Sequence, residues 1–174
     1  MGIELDPALA GVAGTNAAAN GFDGLRFVAA DVAAWSDGAM FDHAFANPPY
    51  HPAHLPASPD LRRDRAKRAA PDLLGLWTKA LARQVRNGGT VTLVLPAARL
   101  GDALAAAEQR LGSIVVFPLW PREGRAAKLI LVQGLVGGRG ELVLSPGLVL
   151  HGVTGYTPAA DAVLRDGGKL CLRG

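Results

Sequence analysis

The sequence predicts an α/β domain with a mostly parallel sheet covered by helices on both faces, and three observations lead there. Short apolar runs alternate along the chain with longer segments of helical pattern. One such run, Phe41 to Ala46, leads directly into Asn47-Pro48-Pro49-Tyr50, a rigid polar tetrad at the carboxyl end of a strand, where ligands bind in open α/β sheets. The chain has 174 residues, of which 49% are hydrophobic, enough for one substantial core, so residues 1–174 are read as one domain.

Each element has a local reason. Met1 to Leu5 is apolar and stops at Asp6-Pro7, which predicts a buried strand ending in a turn. Pro7 suits the first turn of a helix, small and apolar residues run from Ala8 to Asn20, and Asn20-Gly21 supplies the stop. Leu25 to Ala29 reads as a second strand, closed by Asp31, and Phe41 to Ala46 as a third. His51 to Pro71 holds several prolines and a basic cluster, which predicts a long irregular loop. Pro71 and Asp72 open a helix through Leu73, Leu76, Trp77 and Leu81 that Asn87-Gly88-Gly89 should end. A strand at Thr90 to Leu95, a helix from Arg99 to Leu111, and strands at Ile114 to Leu119 and Lys128 to Leu135 follow. Gly137 to Gly140 should form a hairpin turn into Glu141 to Leu144, and Pro146-Gly147 a turn before Leu148 to Leu150. These closing strands are expected to make an antiparallel edge.

The charge balance narrows the partners. Eighteen Lys and Arg against fifteen Asp and Glu leave a net charge of +3, which permits a nucleic-acid partner without requiring one. The single cysteine, Cys171, can form neither an internal disulfide nor a cysteine metal cluster. His51 and His54 lie close together without a third ligand, so no metal is expected. Apolar runs are too short for a bilayer span, and the start shows no secretory pattern; the expected compartment is the cytoplasm.

The tetrad carries the most chemical information. At average residue usage an Asn/Asp-Pro-Pro-aromatic sequence arises by chance in about one chain of this length in a few hundred. Two prolines fix the backbone and remove two donors, leaving carbonyl acceptors. Such a site suits a planar, donor-rich amine. The Asn47 side-chain oxygen and the Pro48 carbonyl can both accept from an NH2 group, Pro49 stiffens the turn, and the Tyr50 ring can stack on the planar group. Held in this way, the nitrogen lone pair is aimed at an electrophile by positioning alone.

Asn-Pro-Pro-Tyr in this place resembles the motif of S-adenosylmethionine-dependent amino-group methyltransferases, which implies a Rossmann-like class I sheet and a target nitrogen in adenine, guanine or glutamine. Two acidic positions fit that resemblance. Glu4, in Gly2-Ile3-Glu4-Leu5-Asp6, stands at a strand end where Rossmann folds hold ribose hydroxyls. Asp31, in Val28-Ala29-Ala30-Asp31-Val32, resembles the position that holds the cofactor adenine amino group, with Val32 beside it. Glu4, Asp31, Val32 and Asn47 are thus the implied cofactor residues.

Weaker similarities narrow the family. Asn16 and Asn20, Ser58-Pro59, Pro96 with Arg99, Ala126-Ala127-Lys128 and Gly155-Tyr156-Thr157-Pro158 resemble the tRNA(Val) adenine N6-methyltransferases across nearly the whole chain. The resemblance implies tRNA as partner, and Arg62, Arg63, Arg65, Lys67, Arg68 and Lys128 as candidate RNA contacts. Methylation of a protein glutamine, or RNA binding without activity, are the alternatives. Trp35, Trp77 and Trp120 are expected to pack. A family member is also expected to carry a strand and a glycine-rich turn before the Glu4 strand; Gly138-Arg139-Gly140 does not qualify, because it leads into a strand and not a helix. The sheet is therefore expected to be N-terminally incomplete, with a gap between the strands ending at Glu4 and Ala46, and unpaired edges that invite self-association.

Overall fold

A computed structural model describes residues 1–36, 38, 40–49 and 73–173. Strand β1, Gly2–Glu4, pairs in parallel with β2, Phe27–Ala29, and helix α1, Pro7–Ala19, connects them. Asp6 caps α1 by accepting from the Ala8 N–H at 2.8 Å, and Pro7 occupies the first turn, where its missing donor costs nothing.

A second sheet holds the other six strands of the described residues. Strand β3, Phe41–Ala46, runs parallel to β4, Val85–Pro96. Strand β6, Leu129–Val136, lies between β4 and β5, Leu111–Trp120, antiparallel to both. Two short strands, β7 (Val143–Leu144) and β8 (Leu148–Val149), pair in parallel with β5. The antiparallel strand is thus internal, and the expected antiparallel edge is corrected. Only residues 121–128 join β5 to β6, too few for a crossover, so the chain reverses and inserts β6 beside β4. The turn at Gly138, whose N–H donates to the Leu135 carbonyl, also differs from a simple hairpin: the chain passes to the far side of β5 before β7 forms.

Helix α2, Leu73–Gln84, ends before the predicted Asn87-Gly88-Gly89 stop, and β4 begins at once. Val85 is buried and pairs with Phe41, whereas Thr90 pairs with His43, so Arg86 to Gly89 bulge out of register. Gly88 takes a positive φ of 80°, which explains the residue type. A 3-10 turn, Ala97–Arg99, leads into α3, Leu100–Glu108. Helix α4, Pro158–Leu164, was not anticipated; Thr157 caps it by accepting from the Ala160 N–H at 3.2 Å, and Pro158 opens it.

The core lies where α2 and α3 cover one face of the six-stranded sheet, around Val91, Leu93, Leu95, Ala103, Ile130 and Val132. Strands β1 and β2 form a separate two-stranded sheet with no hydrogen bond to β3. Between the strands ending at Glu4 and Ala46 lies a cleft lined by residues of both.

Candidate active-site cleft

The cleft has a volume of about 580 Å³. One wall is Met1 to Glu4 with Val32 and Trp35, and the other is Phe41 and His43 to Asn47, with Trp77, Leu81 and Gln84 of α2 behind. Strand β1 is held extended by its parallel pairing with β2, and a Cβ at Gly2 would meet the Phe27 ring at 2.5 Å. Glu4 is half-buried, and its Oε1 accepts from the Asp6 N–H at 3.0 Å. The second carboxylate oxygen is left for a ligand hydroxyl.

Asn47 stands one residue beyond the last β3–β4 pair, Ala46 with Leu93. Its side chain is exposed and lines the cleft, while Pro48 is fully buried and Pro49 half-buried. The buried proline anchors the turn that presents Asn47 at the carboxyl end of the strand. Glu4, Val32 and Asn47 therefore meet around one cavity.

Asp31 does not join them. It is exposed and closes its own turn, accepting from the Ala33 N–H at 2.9 Å through its side chain, with the Trp35 N–H bonded to its carbonyl at 2.9 Å. Only its neighbour Val32 reaches the cleft. Lys128 is exposed beside the start of β6, where its carbonyl accepts from the Ala97 N–H at 2.9 Å. Tyr50, Arg62, Arg63, Arg65, Lys67 and Arg68 lie outside the described residues, as do His51 and His54.

Other cleft residues were missed. His43 and Phe45 line it, and Phe45 is 68% exposed despite its size. Strand alternation from Asn47 would have put both on its face. His43 Nδ1 lies 2.7 Å from Thr90 Oγ1, which fixes the ring against β4. Trp77 packs against the core as expected, yet it and Trp35 also line the cleft; Trp35 stands 6.5 Å from the Phe41 ring. Trp120 donates from Nε1 to the Pro146 carbonyl at 2.9 Å. Among the described residues no group of three or more His, Cys, Asp or Glu could hold a metal, and no helix is long and apolar enough to cross a membrane.

No protein-family model matches the chain, and no curated protein matches it. Solved structures do. A predicted O-methyltransferase from Agrobacterium tumefaciens is similar with a TM-score of 0.72 at 21% identity, over 92% of this chain and 74% of that one. An rRNA methylase from Streptococcus thermophilus is similar at 0.53 and 9% identity, over 77% of this chain and 70% of that one. The N-methyltransferase NodS from Bradyrhizobium japonicum, solved with S-adenosyl-L-homocysteine, is similar at 0.51 and 14%, over 77% of this chain and 64% of that one. The chain spans about two thirds to three quarters of the length of these proteins. At such identities it is the fold that is shared: a mixed α/β sheet of the Rossmann-like class I methyltransferase type.

Proposed function

We propose that the protein is an S-adenosylmethionine-dependent N-methyltransferase acting on an amino group of a nucleic-acid base, adenine N6 of tRNA. The observation that carries this reading is Asn47-Pro48-Pro49 at the carboxyl end of β3, its Asn47 opening onto the cleft that also holds Glu4 and Val32. The residues present fit the adenosine part of the cofactor: a half-buried carboxylate with one oxygen to spare for ribose, and the apolar Val32 for the adenine. Asp31 is placed near enough in sequence to contribute only if its turn opens. When bound, S-adenosylmethionine supplies an electrophilic methyl group.

The protein's own part is positioning. The Asn47 side-chain oxygen and the Pro48 carbonyl accept from the two amino hydrogens of the base, which turns the nitrogen lone pair toward the cleft. Pro49 keeps that turn rigid, and the Tyr50 ring stacks on the base. No base is needed before attack, because an exocyclic amine has its lone pair available once oriented and loses its proton after the methyl arrives. Arg62, Arg63, Arg65, Lys67, Arg68 and Lys128 are assigned to RNA phosphates.

The rRNA methylase and the NodS N-methyltransferase among the similar structures are compatible with an RNA or amino-group substrate. The test is tritium transfer from labelled S-adenosylmethionine to bulk tRNA and, in parallel, to a peptide release factor. Label in N6-methyladenine of tRNA supports the reading. Label only in release-factor glutamine moves the substrate to protein, and tRNA binding with no label in either makes the chain a non-catalytic RNA binder.

A further inference from the structure

The carboxyl ends of β3, β4, β5 and β8 and the start of β6 share one rim, because β3, β4, β5 and β8 are mutually parallel and β6 runs against them. Asn47 stands at one end of that rim. Four strand spacings of about 4.8 Å carry it about 19 Å to β8. Beyond Asn47 the rim changes character: Arg122, Arg125 and Lys128 are exposed, with Glu123 the one acidic residue in the connection 121–128. Among the described residues no carboxylate pairs with any of the three cations, whereas Arg99 is held by Asp102 at 2.5 Å and Arg165 by Asp161 at 2.8 Å.

At the far end stands an aromatic stack. The rings of His151 and Tyr156 lie 4.9 Å apart at 18°, and the Arg165 guanidinium sits 6.0 Å from the Tyr156 ring centre. Tyr156 is nonetheless 40% exposed. The hairpin that carries the stack is tied to the end of β5: Leu150 and His151 N–H groups donate to the Trp120 and Pro121 carbonyls, and Arg122 Nη1 donates to the Gly152 carbonyl at 2.6 Å. The Thr157 hydroxyl donates to the Val149 carbonyl at 2.7 Å. Gly155 turns the tip with a φ of 76°, and Val153 there is 97% exposed. A partly open aromatic pair with an apolar tip and exposed cations leading to it is what a single polynucleotide strand needs: charge for phosphates and a flat face for a base.

We propose that this rim is a second RNA-contact site, in which Arg125 and Lys128 hold phosphates of the single strand flanking the target base and the His151–Tyr156 stack takes one flanking base. The proposal rests on the reading of the substrate as RNA. Arg165 is a positioning residue, since its charge is already engaged by Asp161.

The test is the binding of a short fluorescein-labelled single-stranded RNA to the 174-residue chain, followed by anisotropy over a range of salt. Neutralising two phosphate contacts in Arg125→Gln/Lys128→Gln lowers the slope of log K against log salt by about 1.4, at about 0.7 per contact for single strands. Tyr156→Ala weakens binding about 5- to 150-fold, the range of one base stack, with the slope unchanged, and Tyr156→Phe restores it. A 4-thiouridine version of the same RNA, irradiated on the unaltered protein, cross-links within residues 151–156; this arm holds even if a variant fails to fold. Wild-type slope and affinity in both variants, or cross-links confined elsewhere, overturn the proposal. Methyl transfer to tRNA with those negative results leaves the enzymatic reading standing without this site, and binding changes as stated without methyl transfer do the reverse.

Discussion

Asn47 and Gly112 show two ways in which one residue matters. Asn47 is exposed at the cleft, so Asn47→Ala should leave the melting temperature nearly unchanged while turnover on tRNA falls about a hundredfold or more, the usual effect of removing one preorganised hydrogen bond. Wild-type turnover in that variant would remove Asn47 from the mechanism. Gly112 is the opposite case. It faces Gly138 across the β5–β6 irregularity so closely that any Cβ would meet the Gly138 carbonyl, a backbone atom with no room to retreat. Gly112→Ala should destabilise by about 1 to 3 kcal/mol, as overpacking does, and thermal melting reads this directly. Asn47 was legible because its motif is rare; Gly112 was not, because its requirement comes from a turn more than twenty positions away.

Among elements, the β4–β6 pairing governs stability. Seven consecutive residue pairs join these strands, and Val91, Leu93, Leu95, Ile130 and Val132 are buried on the face that α2 and α3 cover. Leu93→Ala should therefore cost about 2 to 5 kcal/mol in denaturant unfolding, and a loss under 1 kcal/mol would show that the face is not a packed core. The existence of both strands was readable from their apolar runs, but their adjacency was not. Periodicity reports burial and says nothing about which strand lies alongside; the place of β6 beside β5 follows from the short 121–128 connection. The early end of α2 has a similar origin: Asn87-Gly88-Gly89 is a stop signal, yet it serves a bulge inside β4. Helix α4 was legible and overlooked, since Thr157-Pro158 with Asp161 in the first turn is a clear start signal.

At the scale of the molecule, the two sheets should differ sharply in stability. The β1–α1–β2 unit has strands of three residues each, a single pairing, and only Ala10 and Ala17 buried within its helix. Leu5, Leu9 and Val12 are exposed, so little apolar surface is withdrawn from water to hold the unit in place. Two-stranded sheets are marginal by themselves in water, whereas the six-stranded sheet carries the whole of the main core. Among the described residues no strand pairs with the edges of β1 and β3 that face the cleft. Amide hydrogen exchange on residues 1–174 should accordingly show β1 and β2 exchanging through local opening, at least a hundredfold faster than the paired amides of β4 and β6. That ratio corresponds to about 2.7 kcal/mol between local and global opening. The consequence reaches function, because Glu4 rides on the less stable unit and Asn47 on the more stable one. A ligand that bridges the cleft must slow exchange in β1 and β2 first, and S-adenosylmethionine that leaves β1 exchange unaltered on this chain would show that Glu4 takes no part in holding it. Equal protection of the two sheets without ligand would instead mean that contacts across the cleft already lock them together.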